Sequence, residues 1–155
     1  MQAYRKWIPS DWRIVVLVDE DRQDCRELKE RMERFALDAG FATKSSPVSG
    51  NFCVLNRIAI EELEAWFLGD VDAVVAAYPR AHPGMLQKPR FQDPDSVTGG
   101  TAEALQRVLK RAGYYRGGMP KIEVARTISA LMDPARNRSR SFKHFWSGLQ
   151  ALSPA

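Results

Sequence analysis

The run Ile14-Val15-Val16-Leu17-Val18-Asp19-Glu20-Asp21-Arg22 limits the fold more than any other stretch of this chain. An apolar, largely β-branched run bounded by polar residues predicts a strand buried on both faces, as inside a parallel α/β sheet. It stops at two carboxylates spaced i and i+2, which share one side of the chain if the extended conformation persists. Open α/β sheets bind their ligands at the carboxyl ends of the strands. Two carboxylates held together without a counter-charge repel, and one would tend to stay protonated. A hard divalent cation removes that conflict, because it takes oxygen ligands and keeps several waters. The other reading is an acidic strand-to-helix turn in which Asp21 or Asp24 caps the next helix.

Downstream, Arg22 to Ala39 reads as a helix, with Leu28, Met32, Phe35 and Ala39 as its apolar face. Gly40 suits the C′ position. Phe41 to Ser46 is a short strand in this reading, 47–51 a turn, and Phe52 to Ala59 the second convincing strand. Strand, helix, strand at this spacing implies a right-handed parallel crossover. A helix is expected from Ile60 through Leu68 with a core stripe of Ile60, Leu63 and Phe67, and another from Val71 to Tyr78. Residues 79–100 hold four prolines and three glycines and read as a long loop or a set of turns, with the stretch around Pro89 and Pro94 either a lid or a partner surface. Three helices should follow: Thr101 to Ala112 without a full capping box, Pro120 to Met132, and Ser139 to Leu152 with a serine N-cap. The expected organisation is an α/β core over 1–78, a loop over 79–100, and a basic helical part over 101–155 packed on the same domain.

A chain of 155 residues with 45% hydrophobic and 27% charged content fits one ordinary globular domain. No apolar stretch approaches the roughly 20 residues that span a bilayer, and the N-terminus lacks a signal-peptide apolar region. Cys25 and Cys53 form no CxxC pair, and Cys53 sits in an apolar run as a small core residue. The default expectation is a cytoplasmic protein with no membrane partner. The net charge of +4 divides unevenly, −3 over residues 1–100 and +7 over 101–155. An acidic half for metal ligands and a basic half for a polyanion suit an enzyme acting on phosphodiesters, although a basic surface is also merely solvated in many proteins.

Three further constellations bear on chemistry. Glu61 and Glu62 lie where the helix dipole favours acids. Glu64, bordered by Leu63, Trp66, Phe67 and Leu68, could join Asp19 and Asp21 around one metal. Arg136, Arg138, Arg140 and Lys143, with Ser139 and Ser141, form a basic cluster able to contact phosphate oxygens, while Phe142, Phe145 and Trp146 fall at core spacing. Lys121 opens a helix, where the dipole disfavours it, and could stabilise charge on a phosphate or be a plain exposed lysine. His82 and His144 are isolated, and no Gly-rich phosphate loop or serine-nucleophile elbow is present.

Val18-Asp19-Glu20-Asp21-Arg22 resembles the Asp-x-Asp strand end of the Toprim fold, and Leu63-Glu64-Ala65-Trp66-Phe67-Leu68 is similar to the helix motif of Toprim domains in overcoming-lysogenization-defect nucleases. Across 12–21, 56–66 and 132–142 the chain resembles a Toprim-like family named domain of unknown function 4276. The resemblance implies a three-layer α/β fold with a short, mainly parallel sheet and a helical C-terminal part. It further implies Mg2+ (or Mn2+) held by Asp19, Asp21 and Glu64, with Glu64 and Lys121 catalytic and Arg136, Arg138, Arg140 and Lys143 on phosphate. An ABC-type ATPase partner in a phage-defence setting and a homodimer are further implications. Toprim domains begin with a strand ending in glutamate; only Met1 to Trp12 precede the Asp-x-Asp strand here, so the chain reads as a shortened form. The function expected is metal-dependent phosphodiester cleavage of nucleic acid. The alternative is a non-catalytic Toprim-like module that docks an ATPase or senses a ligand.

Overall fold

In the computed structural model, which describes residues 8–9, 11–21, 23–97 and 99–152, the first apolar run becomes strand β1 (Ile14–Asp19). Arg22 and Met1 to Trp7, which enter the readings of the strand end and the N-terminus, lie outside the described residues. Strand β2 (Val54–Ala59) pairs with β1 in a parallel two-stranded sheet, with Ile14 N donating to Cys53 O at 2.8 Å. The fold is thus mixed α/β with a short parallel sheet and a helical C-terminal part, as expected. The chain divides into two compact units, residues 1–58 with 144–155 and residues 59–143. The boundary anticipated at 78/79 falls inside the second unit.

In the first unit, β1 is not buried on both faces. Its residues alternate half-buried and exposed, and Val15 and Leu17 keep 42% and 36% of their surface open. Two paired strands with one crossover helix leave one face of the edge strand to solvent, so the apolar run is only half used. β2 is the buried strand: Val54, Leu55 and Asn56 are fully enclosed. Helix α1 (Cys25–Asp38) starts at Asp24, whose Oδ1 accepts from Arg26 N at 2.8 Å and Glu27 N at 3.0 Å. Those two backbone bonds to Glu27 and Arg26 hold the Asp24 carboxyl below its usual value. Asp24 rather than Asp21 is therefore the cap. The buried face is Leu28, Met32, Ala36 and Ala39; Phe35, expected in it, is 64% exposed, one position off the stripe that Ala36 occupies. Gly40 takes φ 76°, as a C′ residue should. Residues 41–46 contribute a single parallel bridge, Thr43 to Val54, rather than a strand, because the chain closes on itself between Thr43 and Ser46. Cys53 is half-buried rather than in the core.

In the second unit the helix expected from Ile60 starts four residues later. Glu61 has φ 62°, a left-handed turn that no helix continues, so Glu61 and Glu62 precede helix α2 (Glu64–Gly69) instead of filling its first turn. Every residue of α2 is buried. Asp70 separates it from α3 (Val71–Ala77), capping that helix through Ala73 N. Of the two readings of the proline-rich segment, the set of turns is the one observed. It forms the short helix α4 (Pro83–Leu86) and two 3₁₀ turns (Pro89–Phe91 and Pro94–Ser96), and it packs Leu86, Phe91 and Val97 into the core with α5 (Thr101–Arg111) and α6 (Lys121–Ser129). Burying Phe91 alone is worth about 2–3 kcal/mol of apolar transfer. His82 caps α4 by accepting Gly84 N at Nδ1. The last helix, α7 (Arg140–Leu152), begins with Ser139 Oγ accepting from Phe142 N and passes into the first unit at residue 144. Phe142 is buried, but Trp146, expected in the core, is 39% exposed.

Candidate functional site

The predicted site residues fall into three places. Asp19 ends β1 and is exposed; Asp21, also exposed, has φ 50°. A non-glycine residue in the left-handed region costs energy that the surrounding structure must hold, and such residues concentrate at functional turns. β1 and β2 are parallel, so Asp19 lies at the carboxyl end of the sheet, where ligands of this fold class bind. β1 ends at Asp19 and Asp21 turns left-handed, so the extended conformation that would put both carboxylates on one side does not persist. Among the described residues of either unit, no three His, Cys, Asp or Glu side chains gather as a ready-made metal site.

The second place lies within residues 59–143. Glu64 opens α2 with 7% of its surface exposed. Lys121, the first residue of α6, brings Nζ to 3.7 Å from Glu64 Oε1 and 3.8 Å from Glu62 Oε1. The two residues singled out for chemistry therefore meet, and Glu62 joins them. Lys121 is 62% exposed at the side chain while Glu64 is almost enclosed, so this is a buried carboxylate with a solvent-facing cation at its mouth. An exposed lysine contributes little to stability through such a pair, at most about 1 kcal/mol.

Glu62 was missed by sequence reasoning. Its Oε2 accepts from Ala102 N at 2.8 Å and from Thr101 Oγ1 at 3.2 Å, capping α5 across 40 positions. The available signal was that α5 has no cap of its own: its N-cap is Gly100, at φ 83°, with no side-chain oxygen to offer. A Cβ at Gly100 would also collide with the carboxylate of Glu103, the N3 residue, which folds back over the helix start. The missing cap oxygen thus comes from the acidic turn after β2.

The third place is the basic cluster, and its members divide. Arg136 is bound to the enclosed Asp70, with Nη2 3.2 Å from Oδ2, and stands 3.8 Å from Asp72 and Asp133. The Asp70 hydrogen bond is the main cause that raises the Arg136 pKa. Arg138 Nη2 donates to the carbonyls of Leu68 at 3.4 Å and Phe91 at 3.2 Å. Ser139 and Ser141 bind Asp95, Trp66 Nε1 donates to Ser141 Oγ, and Asn137 Nδ2 donates to Trp66 O. These residues clamp α2, the second 3₁₀ turn and the start of α7 together. Arg140 and Lys143 are exposed, with no side-chain partner among the described residues. His144 is exposed and offers its carbonyl to Arg57 Nε at 3.0 Å.

No helix among the described residues is long and apolar enough to cross a membrane. No curated protein and no solved structure is significantly similar to the chain. One family model matches residues 2–150, nearly the full length, and includes the strand end, the Glu62–Glu64 turn and the clamp just described. The chain belongs to the family described as a domain of unknown function, DUF4276.

Proposed function

We propose that this chain is a Toprim-like module for metal-assisted phosphodiester cleavage of nucleic acid. The observation that carries the reading is the meeting of the enclosed Glu64 carboxylate with Lys121 at 3.7 Å. Asp19 and Asp21 would hold Mg2+ or Mn2+, which when bound polarises a phosphate and lowers the pKa of a water. Within residues 59–143, Glu64 is the group assigned to proton transfer, with Lys121 Nζ 3.7 Å from its Oε1. Lys121, with 62% of its side chain exposed, is the group assigned to neutralising charge on a phosphoryl oxygen.

Calorimetric titration with Mg2+ and Mn2+ tests the metal role, on the chain and on its Asp19→Asn/Asp21→Asn variant. Binding that disappears in the variant is the expected result; unchanged affinity removes the assignment. Glu64→Gln and Lys121→Met should then each lower metal-dependent oligonucleotide cleavage by about 10²-fold or more.

A second reading, a docking module for an ATPase partner, has its own observation. Trp12, Val15, Leu17, Phe35, Leu37 and Val48 of the first unit are exposed apolar residues that a partner could cover. Retained partner binding by the metal-site variant would distinguish it.

A further inference from the structure

Two arginines of the 136–143 cluster are committed to intramolecular bonds, which directs attention to cations of the second unit that are not. Helix α5 buries Ala104, Leu105, Val108 and Leu109, so Arg107, Lys110 and Arg111 lie on its outer face, three and four residues apart. None of them has a side-chain hydrogen bond or ion pair among the described residues. The helix dipole accounts for cations in the last turn, Lys110 and Arg111. It does not account for Arg107, nor for Arg116 in the adjoining loop.

That loop is rigidly held. Arg80 lies with its guanidinium carbon 4.1 Å from the Tyr114 ring centroid and donates Nη2 to Gly113 O at 3.3 Å. Tyr115, at φ 50°, has its hydroxyl 3.1 Å from that of Tyr78 and donates to Glu123 Oε1 at 2.9 Å. Arg116 follows directly and is exposed, ahead of Gly117, around which no atom crowds. The loop thus presents Arg116 from a fixed frame, which lowers the ordering cost of binding.

We infer that the outer face of α5 and the loop after it, with Arg107, Lys110, Arg111 and Arg116, form a sequence-independent surface for the phosphodiester backbone of nucleic acid. The chemistry favours this occupant. Guanidinium groups match phosphate oxygens in a bidentate fork. The patch has no exposed large aliphatic or tryptophan side chain to insert into a membrane. The choice of nucleic acid among polyanions rests on the cleavage reading above.

The test is fluorescence anisotropy with a labelled oligothymidylate probe over a salt series, using the full chain and its Arg111→Glu/Arg116→Glu variant. A variant with the same net charge, Lys88→Glu/Arg34→Glu, serves as control, all four positions being exposed. The expected result is a loss of about tenfold or more in affinity for the loop variant, with the salt slope falling by about 1.4 for two lost single-strand phosphate contacts. The control should stay within about twofold. Equal losses in both variants, no binding by the parent chain, or competition by oligoglutamate as effective as by unlabelled oligothymidylate would each overturn the inference. Cleavage that depends on Asp19 and Asp21 yet survives the loop variant with unchanged binding sinks the surface and leaves the cleavage reading. Binding that depends on the loop, without any cleavage, does the reverse.

Discussion

The two units treat their polar groups in opposite ways. The unit of residues 59–143 encloses them: Asp70, Asn137, Ser139 and Ser141 are all buried, and each has named partners. The unit of residues 1–58 and 144–155 leaves its most acidic turn, Asp19 to Asp21, at the surface, and exposes half of its first strand. Its buried polar groups are also less completely satisfied, since Glu33 Oε2 and Asn56 Oδ1 have no hydrogen-bond partner among the described residues. Enclosed, bonded polar groups specify one packing, whereas orphaned acceptors weaken it. The second unit should be the better-defined structure and the first the more adaptable.

The sharpest way to break that contrast is to remove a clamp. Asp70 has 1% of its side chain exposed, accepts from Ala73 N and Asp133 N, and binds Arg136. Asp70→Ala should cost about 3–5 kcal/mol, because three donors lose one buried acceptor. Urea denaturation measures it, and a loss below about 1 kcal/mol would show that the enclosed network does not stabilise this unit.

A smaller effect is expected at Glu33 in the first unit. Burial pushes its carboxyl up, but hydrogen bonds from Lys29, Thr43 and Asn56 outweigh that and leave it below the usual 4.5. A depressed carboxyl contributes stability that is fully present above the unfolded pKa and is lost as pH falls through the folded one. The parent chain should therefore lose stability on acidification below about pH 4.5, and Glu33→Gln should lose less across that window. The variant itself should be weaker at pH 7 by about 1 kcal/mol. Parallel acid-melting profiles for the two proteins would remove the assignment.

The smallest effect belongs to Phe35, which is 64% exposed. Phe35→Ser should move stability by no more than about 0.5 kcal/mol while reducing retention on a hydrophobic column. A loss of several kcal/mol would mean that the ring is covered in solution and that the first unit is less open than described.

What could be read without coordinates was the local part. The strand, helix, strand order, the Asp24 cap, Gly40 and the Ser139 cap all follow from patterns within a few residues. Glu64 and Lys121 were nominated on separate local oddities, an acid at an apolar border and a cation at a helix start, and the structure sets them side by side. The long-range roles were out of reach. Nothing near Glu62 shows that its carboxylate caps a helix 40 positions on, and nothing in the arginine-rich motif shows that Arg136 faces Asp70. The β1 error has the same origin: periodicity reports what a segment can bury, while the number of neighbouring strands decides what it does bury.

The first unit is made of two pieces of chain, with the whole second unit inserted between residues 58 and 144. During synthesis the inserted unit emerges complete before the closing piece of the first, so it can fold while β1, α1 and β2 still wait for their last helix. The strand with the exposed face, and the acidic turn at its end, therefore wait for a piece of chain that is made only after the whole inserted unit.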